Sequence, residues 1–169
     1  MQRTRSLEGK PLNHTHLFNI TGPLLGQAAA CEPILRSLPD WFGIEEAIVY
    51  YVNEIDGLPT FLALDEKGGA VGFMSVKQHF PQAAELYVLG VRPEWHGRGM
   101  GRALLARAEA HLRDLGVEYV QVKTLAASHP DPNYARTRRF YEAMGFRPLE
   151  VLPELWDESN PCLIMIKGL

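Results

Sequence analysis

The chain has 169 residues, 46% of them hydrophobic and 22% charged, and a formal net charge of -3, which suits one domain with a sizeable apolar core. That charge gives no electrostatic footprint for general nucleic-acid or anionic-membrane binding, and no apolar run is long enough to cross a bilayer. The two cysteines, Cys31 and Cys162, form no CxxC pair and read as small core residues of a reduced, cytoplasmic protein.

Residues 1–16 carry Arg3, Arg5 and Lys10 without an apolar stretch, so they read as a loose extension and not a secretory signal. Residues 17–20 predict a short strand. Residues 25–38 predict a helix ended by Pro39-Asp40, and residues 44 to about 55 a second one stopped by Asp56-Gly57. The hydrophobic period then changes. Residues 60–64, 70–80 and 83–91 read as strands, with separators Lys67-Gly68-Gly69 and Pro81-Gln82 short enough for an antiparallel meander.

A helix follows over 101–115. Leu104, Leu105, Ala108, Leu112 and Leu115 fall on one face, Arg102, Glu109 and Arg113 on the other, and Gly116 closes it. Residues 119–125 alternate as a strand. Asp131 as N-cap and Pro132 at the first helical position open a helix to about Met144, with Thr137, Phe140, Tyr141 and Met144 on its buried side. Two last strands, 146–152 and 162–167, flank an acidic loop. Helices near the start, a meander and then β-α-β-α-β-β predict an α/β fold: a mixed central sheet of about seven strands with helices on both faces.

The most informative stretch is the strand 83–91, the turn Arg92-Pro93-Glu94-Trp95, and His96-Gly97-Arg98-Gly99-Met100-Gly101 opening a helix. A helix N-terminus has unpaired N–H groups and about half a positive charge, and glycines let a phosphate approach those groups closely. The segment therefore suits a diphosphate. It is not a Walker A loop, because no Gly-Lys-Ser/Thr follows. It is not a dinucleotide fingerprint, because Arg102 stands where the third glycine belongs and no acidic residue ends strand 119–125. An S-adenosylmethionine site would place an acidic residue at the strand end directly before the glycines, where a proline-containing turn stands instead.

Residues 91–105, running Val91-Arg92-Pro93-Glu94-Trp95-His96-Gly97-Arg98-Gly99-Met100-Gly101-Arg102 into Ala103-Leu104-Leu105, resemble the acyl-CoA signature of the GNAT N-acetyltransferase superfamily. Arg138-Arg139-Phe140-Tyr141-Glu142-Ala143-Met144-Gly145-Phe146 resembles its second motif. His96 departs from the glutamine or arginine usual at its position. The resemblance covers about residue 17 to the end and implies a GNAT-like fold, acetyl-CoA as cosubstrate, and acetyl transfer to a primary amine on a small molecule or peptide. It implies cofactor contacts at Leu89, Gly90, Val91, His96, Gly97, Arg98, Gly99, Met100, Gly101, Arg102 and Asn133. A homodimer is compatible with the family. A non-catalytic acyl-CoA sensor and an S-adenosylmethionine-dependent methyltransferase remain alternatives. The sequence names neither the acceptor nor the length of the acyl group.

Acyl transfer from a thioester needs a neutral amine and a proton for the leaving thiolate. A lysine-like amine, pKa ~10.4, costs about 4–5 kcal/mol to neutralise near pH 7, which a general base offsets. The resemblance implies Tyr141 as the proton donor to sulfur and Glu85, at the start of the strand before the glycine turn, as the base. In this fold the acceptor approaches opposite the cofactor. An acceptor pocket is expected between Trp41 and Phe42 on one side and the acidic loop residues Glu154, Asp157 and Glu158 on the other, suited to a cationic amine with an apolar body. The six histidines, among them His14, His16, His79, His96, His111 and His129, show no metal-ligand spacing, so no metal is expected.

Overall fold

A computed structural model describes residues 17–169; the extension 1–16, with His14 and His16, lies outside the described residues. In chain order the elements are β1 (Phe18–Leu24), α1 (Ala28–Arg36), α2 (Glu45–Ile55), β2 (Thr60–Asp65), β3 (Ala70–Phe80), β4 (Ala83–Val91), a short 3-10 turn (Pro93–Trp95), α3 (Met100–Asp114), β5 (Tyr119–Leu125), α4 (Pro132–Ala143), β6 (Arg147–Asp157) and β7 (Asn160–Gly168). The strands form one seven-stranded sheet in the order β1-β2-β3-β4-β5-β7-β6. Every pairing is antiparallel except β4 with β5.

Two apolar layers sandwich the sheet. On one side Cys31, Ile34 and Leu35 of α1 and Ile48 and Ile55 of α2 pack on Leu62, Phe73 and Val88. On the other, Leu104, Leu105, Ala108 and Leu112 of α3 meet Phe61, Val76, Leu86, Val120 and Val122, joined by Tyr141 of α4 and Phe146. Each large side chain so buried contributes about 1.5–3 kcal/mol.

Three departures from the sequence reading have identifiable causes. The first helix starts at Ala28, three residues later than its apolar pattern suggested. Gly26 takes the left-handed conformation at φ +69°, and the Ala28 N–H is capped across 28 positions by Asp56 Oδ1 at 2.9 Å. β1, expected over 17–20, runs on to Leu24, which pairs with Thr60. The acidic loop is likewise almost wholly strand. β6 runs to Asp157 and β7 starts at Asn160, because Asp157 Oδ1 closes a tight turn by accepting from the Ser159 N–H at 2.8 Å and Asn160 Nδ2 at 3.0 Å. On α3, Leu115 is the C-cap and 51% exposed, whereas Glu109 is 6% exposed. Lys167 of β7 and Arg113 both donate to that carboxylate, so a charged residue occupies a buried helical position.

The feature that makes a site is a break in the sheet. The β4–β5 ladder runs only from Ala83/Tyr119 to Leu86/Val122, although both strands continue. The register between β3 and β4 shifts there too, Val76 pairing with Leu86 and Ser75 with Val88, which makes Tyr87 an extra residue. Such a bulge bends its strand, and β4 and β5 separate beyond it.

Candidate active site

A cleft of about 590 Å³ occupies the space between the separated strands. Its walls are Leu86 to Val91 of β4 and Val122, Lys123 and Thr124 of β5. One end is lined by the turn into α3, through His96, Gly97, Gly99, Met100, Gly101 and Arg102. Phe140 and Tyr141 of α4 and its C-cap Met144 form a side, and Trp41, Phe42, Tyr51, Tyr134 and Trp156 the remainder.

The turn is shaped by two glycines with positive φ. Gly97 lies at +73° and Gly99, the N-cap of α3, at +77°, a region that costs other L-residues energy. A Cβ at either position would meet nothing within 4 Å, so the glycines border open space, as a cradle for a diphosphate requires. The helix beyond presents its free N–H groups to that space. His96 holds the turn to the strand, with Nε2 donating to the Val91 carbonyl at 2.7 Å. Its ring also meets the Trp41 indole edge-on at 5.9 Å. Arg98 points elsewhere, its guanidinium 5.0 Å from the centre of the Trp95 ring, and it does not line the cleft.

Tyr141 is 4% exposed and lines the cleft from α4. Its ring is fixed edge-on against Phe146 at 5.6 Å. Burial, and then the neighbouring phenols of Tyr134 and Tyr51, push its pKa up, so its hydroxyl keeps its proton at any physiological pH. Burial also raises Tyr134 to about 12. Trp41 is tied to α4 from both ends: its Nε1 donates to Thr137 Oγ1 at 3.0 Å, and its carbonyl accepts from the Tyr134 hydroxyl at 3.0 Å.

Glu85 is no solvated strand-end carboxylate. It is 3% exposed, and its oxygens accept from Lys123 Nζ at 3.0 and 3.1 Å, His79 Nε2 at 2.7 Å and Gln121 Nε2 at 3.3 Å. Lys123, not Glu85, reaches the cleft wall. Asn133 is engaged locally, its Oδ1 accepting from Arg136 at 3.1 Å, and it stands off the cleft. Glu154, Asp157 and Glu158 are exposed on the β6–β7 hairpin and also lie off its wall, where the hairpin contributes Trp156. Asn160 and the turn N–H groups hold the Asp157 carboxyl below its ordinary range.

Of the residues singled out from sequence, Trp41, Phe42, Leu89, Gly90, Val91, His96, Gly97, Gly99, Met100, Gly101, Arg102 and Tyr141 converge on the cleft. Tyr51, Tyr87, Lys123, Thr124, Tyr134 and Trp156 join them and were not anticipated. Five of those six are aromatic or hydroxyl-bearing residues on elements whose meeting depends on the tertiary fold. Neither cysteine belongs to the site: both are buried and free, and burial raises Cys31 to about 12 and Cys162 to about 11, which keeps both as unreactive thiols. Among the described residues no group of three or more His, Cys, Asp or Glu could hold a metal ion.

A mixed seven-stranded sheet, split between its parallel strands and with a glycine turn at the mouth of the split, defines the α/β domain of this chain. Residues 57–148 match the acetyltransferase (GNAT) domain family, and the chain belongs to that family. Among curated relatives, a mycothiol acetyltransferase of Nocardiopsis dassonvillei is 33% identical over 132 residues, covering 73% of this chain and 34% of its own length. The chain thus spans about a third of the length of the first such relatives it matches. Among solved structures, a GNAT-family chain from Desulfovibrio desulfuricans superposes with a TM-score of 0.77 at 21% identity, covering 89% of this chain and 98% of that one. An N-acetyltransferase from Thermoplasma acidophilum in complex with coenzyme A gives 0.68 at 19% identity, covering 90% and 99%. At these identities the superpositions speak for the fold.

Proposed function

We propose that this chain transfers an acetyl group from acetyl-CoA to a primary amine carried by a small molecule or peptide. The observation that carries the reading is the cleft itself. It opens at one end on a glycine turn with free helix N–H groups and runs through the split sheet past a buried phenol. The matched family supports it, and so does the likeness to the mycothiol acetyltransferase of Nocardiopsis.

When bound, acetyl-CoA would supply an activated thioester. The residues of the chain divide the remaining work. The N–H groups of the turn at 97–102 hold the diphosphate, and the open positions at Gly97 and Gly99 give it room. The unpaired edge of β4 over Leu89–Val91 offers backbone groups to an extended arm, as a sheet edge does. Tyr141 donates a hydrogen bond to the departing sulfur and then its proton. Glu85 is the base for the amine proton, acting through its bonded partners and water rather than by direct contact.

The acceptor enters from the opposite side, against Trp41, Phe42 and Trp156. The acidic residues Glu154, Asp157 and Glu158 act on it at a distance, favouring cationic amines over anionic ones. A cytoplasmic place and a homodimer belong to the same proposal; among the described residues no helix is long and apolar enough to cross a membrane. Thermal shift separates the classes. Acetyl-CoA and CoA should raise the melting temperature and S-adenosylmethionine should not. Stabilisation by S-adenosylmethionine alone would overturn the reading.

A further inference from the structure

Among the described residues, only Thr124 Oγ1 and His129 Nδ1 are buried side-chain polar atoms without a hydrogen-bond partner. They differ in placement. His129 lies between β5 and α4 and does not line the cleft, whereas Thr124 is 2% exposed and forms part of its wall. The other buried hydroxyls of this sheet are satisfied: Thr60 and Ser75 bond each other at 2.8 Å. Leaving a hydroxyl dry and unpaired costs free energy that a valine of the same shape would not incur. An explanation is therefore owed at this position and not at its neighbours.

The position supplies one. Thr124 stands two residues beyond Val122, where β5 last pairs with β4. It pairs across the sheet with Leu163, a member of the apolar layer that also holds Val122 and Tyr141. Its side chain thus projects to the α3/α4 side of the sheet, the side on which Tyr141 lines the cleft. Lys123, the residue before it, turns to the other side and to Glu85. A hydroxyl can both donate and accept, which matches an amide or thioester oxygen better than an aliphatic group.

We propose that Thr124 Oγ1 hydrogen-bonds the thioester end of the acyl-pantetheine arm, so that the partner missing from the protein comes with the cosubstrate. This contact rests on the acetyl-CoA reading above. The test combines apo stability with binding. Thr124→Val should melt at the wild-type temperature or higher without ligand, since it removes an unsatisfied group. In calorimetry it should bind acetyl-CoA roughly 2- to 10-fold more weakly, while Thr124→Ser stays within about twofold of wild type. Wild-type affinity in the valine variant overturns the contact. So does a lower apo melting temperature or failure to fold, which would reveal a partner within the protein. Failure of wild type to bind acetyl-CoA or CoA would instead overturn the proposed function and this contact with it.

Discussion

The two ends of the cleft are built by different means. The end of the cleft proposed for the cosubstrate is a continuous piece of chain: β4, the glycine turn and the start of α3 follow one another from Ala83 to Gly101. The binding groups proposed there are mostly backbone. The part proposed for the acceptor is assembled from single side chains far apart in sequence, among them Trp41, Tyr51, Tyr87, Lys123 and Trp156. The first kind of site tolerates side-chain change as long as its glycines stay. The second can be rebuilt one residue at a time, which is how one fold comes to serve many acceptors.

The sharpest way to break this comparison is at the backbone-built end. Gly99→Glu puts a carboxylate where the diphosphate is expected and forces a side chain into the left-handed region at φ +77°. Calorimetry should show CoA binding lost, and wild-type affinity would remove the glycine turn from the site. Next in size is Tyr141→Phe, which keeps the ring packed on Phe146 and removes the hydroxyl. A general acid contributes ~10²–10⁴-fold, so kcat should fall within that range while CoA affinity is retained; an unchanged kcat would leave the phenol a core residue.

Glu85→Gln should lower the rate by about tenfold or more near neutral pH and recover part of it at high pH, where the amine loses its proton unaided. Glu85 sits between Lys123 and His79, so an equal loss at every pH would mark it as a counter-ion that positions Lys123. The smallest effect belongs to the exposed carboxylates. Glu154→Gln with Glu158→Gln should raise KM for cationic amines by about two- to threefold, less in high salt, because solvent and ions screen exposed charges. Better turnover of anionic acceptors by wild type would refute the proposed charge preference.

The asymmetry also explains what could be read from sequence. The glycine turn, the amphipathic α3 and the capped start of α4 are local: Asp131 accepts from the Asn133 N–H at 2.7 Å and the Tyr134 N–H at 3.1 Å, a bond set that four consecutive residues determine. The start of α1 is not local, because its cap, Asp56, belongs to the end of another helix. Nor is the environment of Glu85. Its place in a strand was legible, but its partners come from β3 and β5 once those strands align. The acidic run looked like a loop because charge and proline suggest one. The strand pairing across Leu152/Cys162 and Asp157/Asn160 depends on a turn that Asp157 itself closes.

The central claim is acyl transfer through this cleft, and a thiol-release assay coupled to mass analysis of the amine tests it most directly. With acetyl-CoA and a panel of cationic, neutral and anionic primary amines, free CoA thiol should appear only when a suitable amine is present. One acetylated amine should form per thiol, and both signals should vanish in Gly99→Glu. Tight binding of acetyl-CoA with no turnover on any amine would contradict the account and leave the chain an acyl-CoA-binding protein.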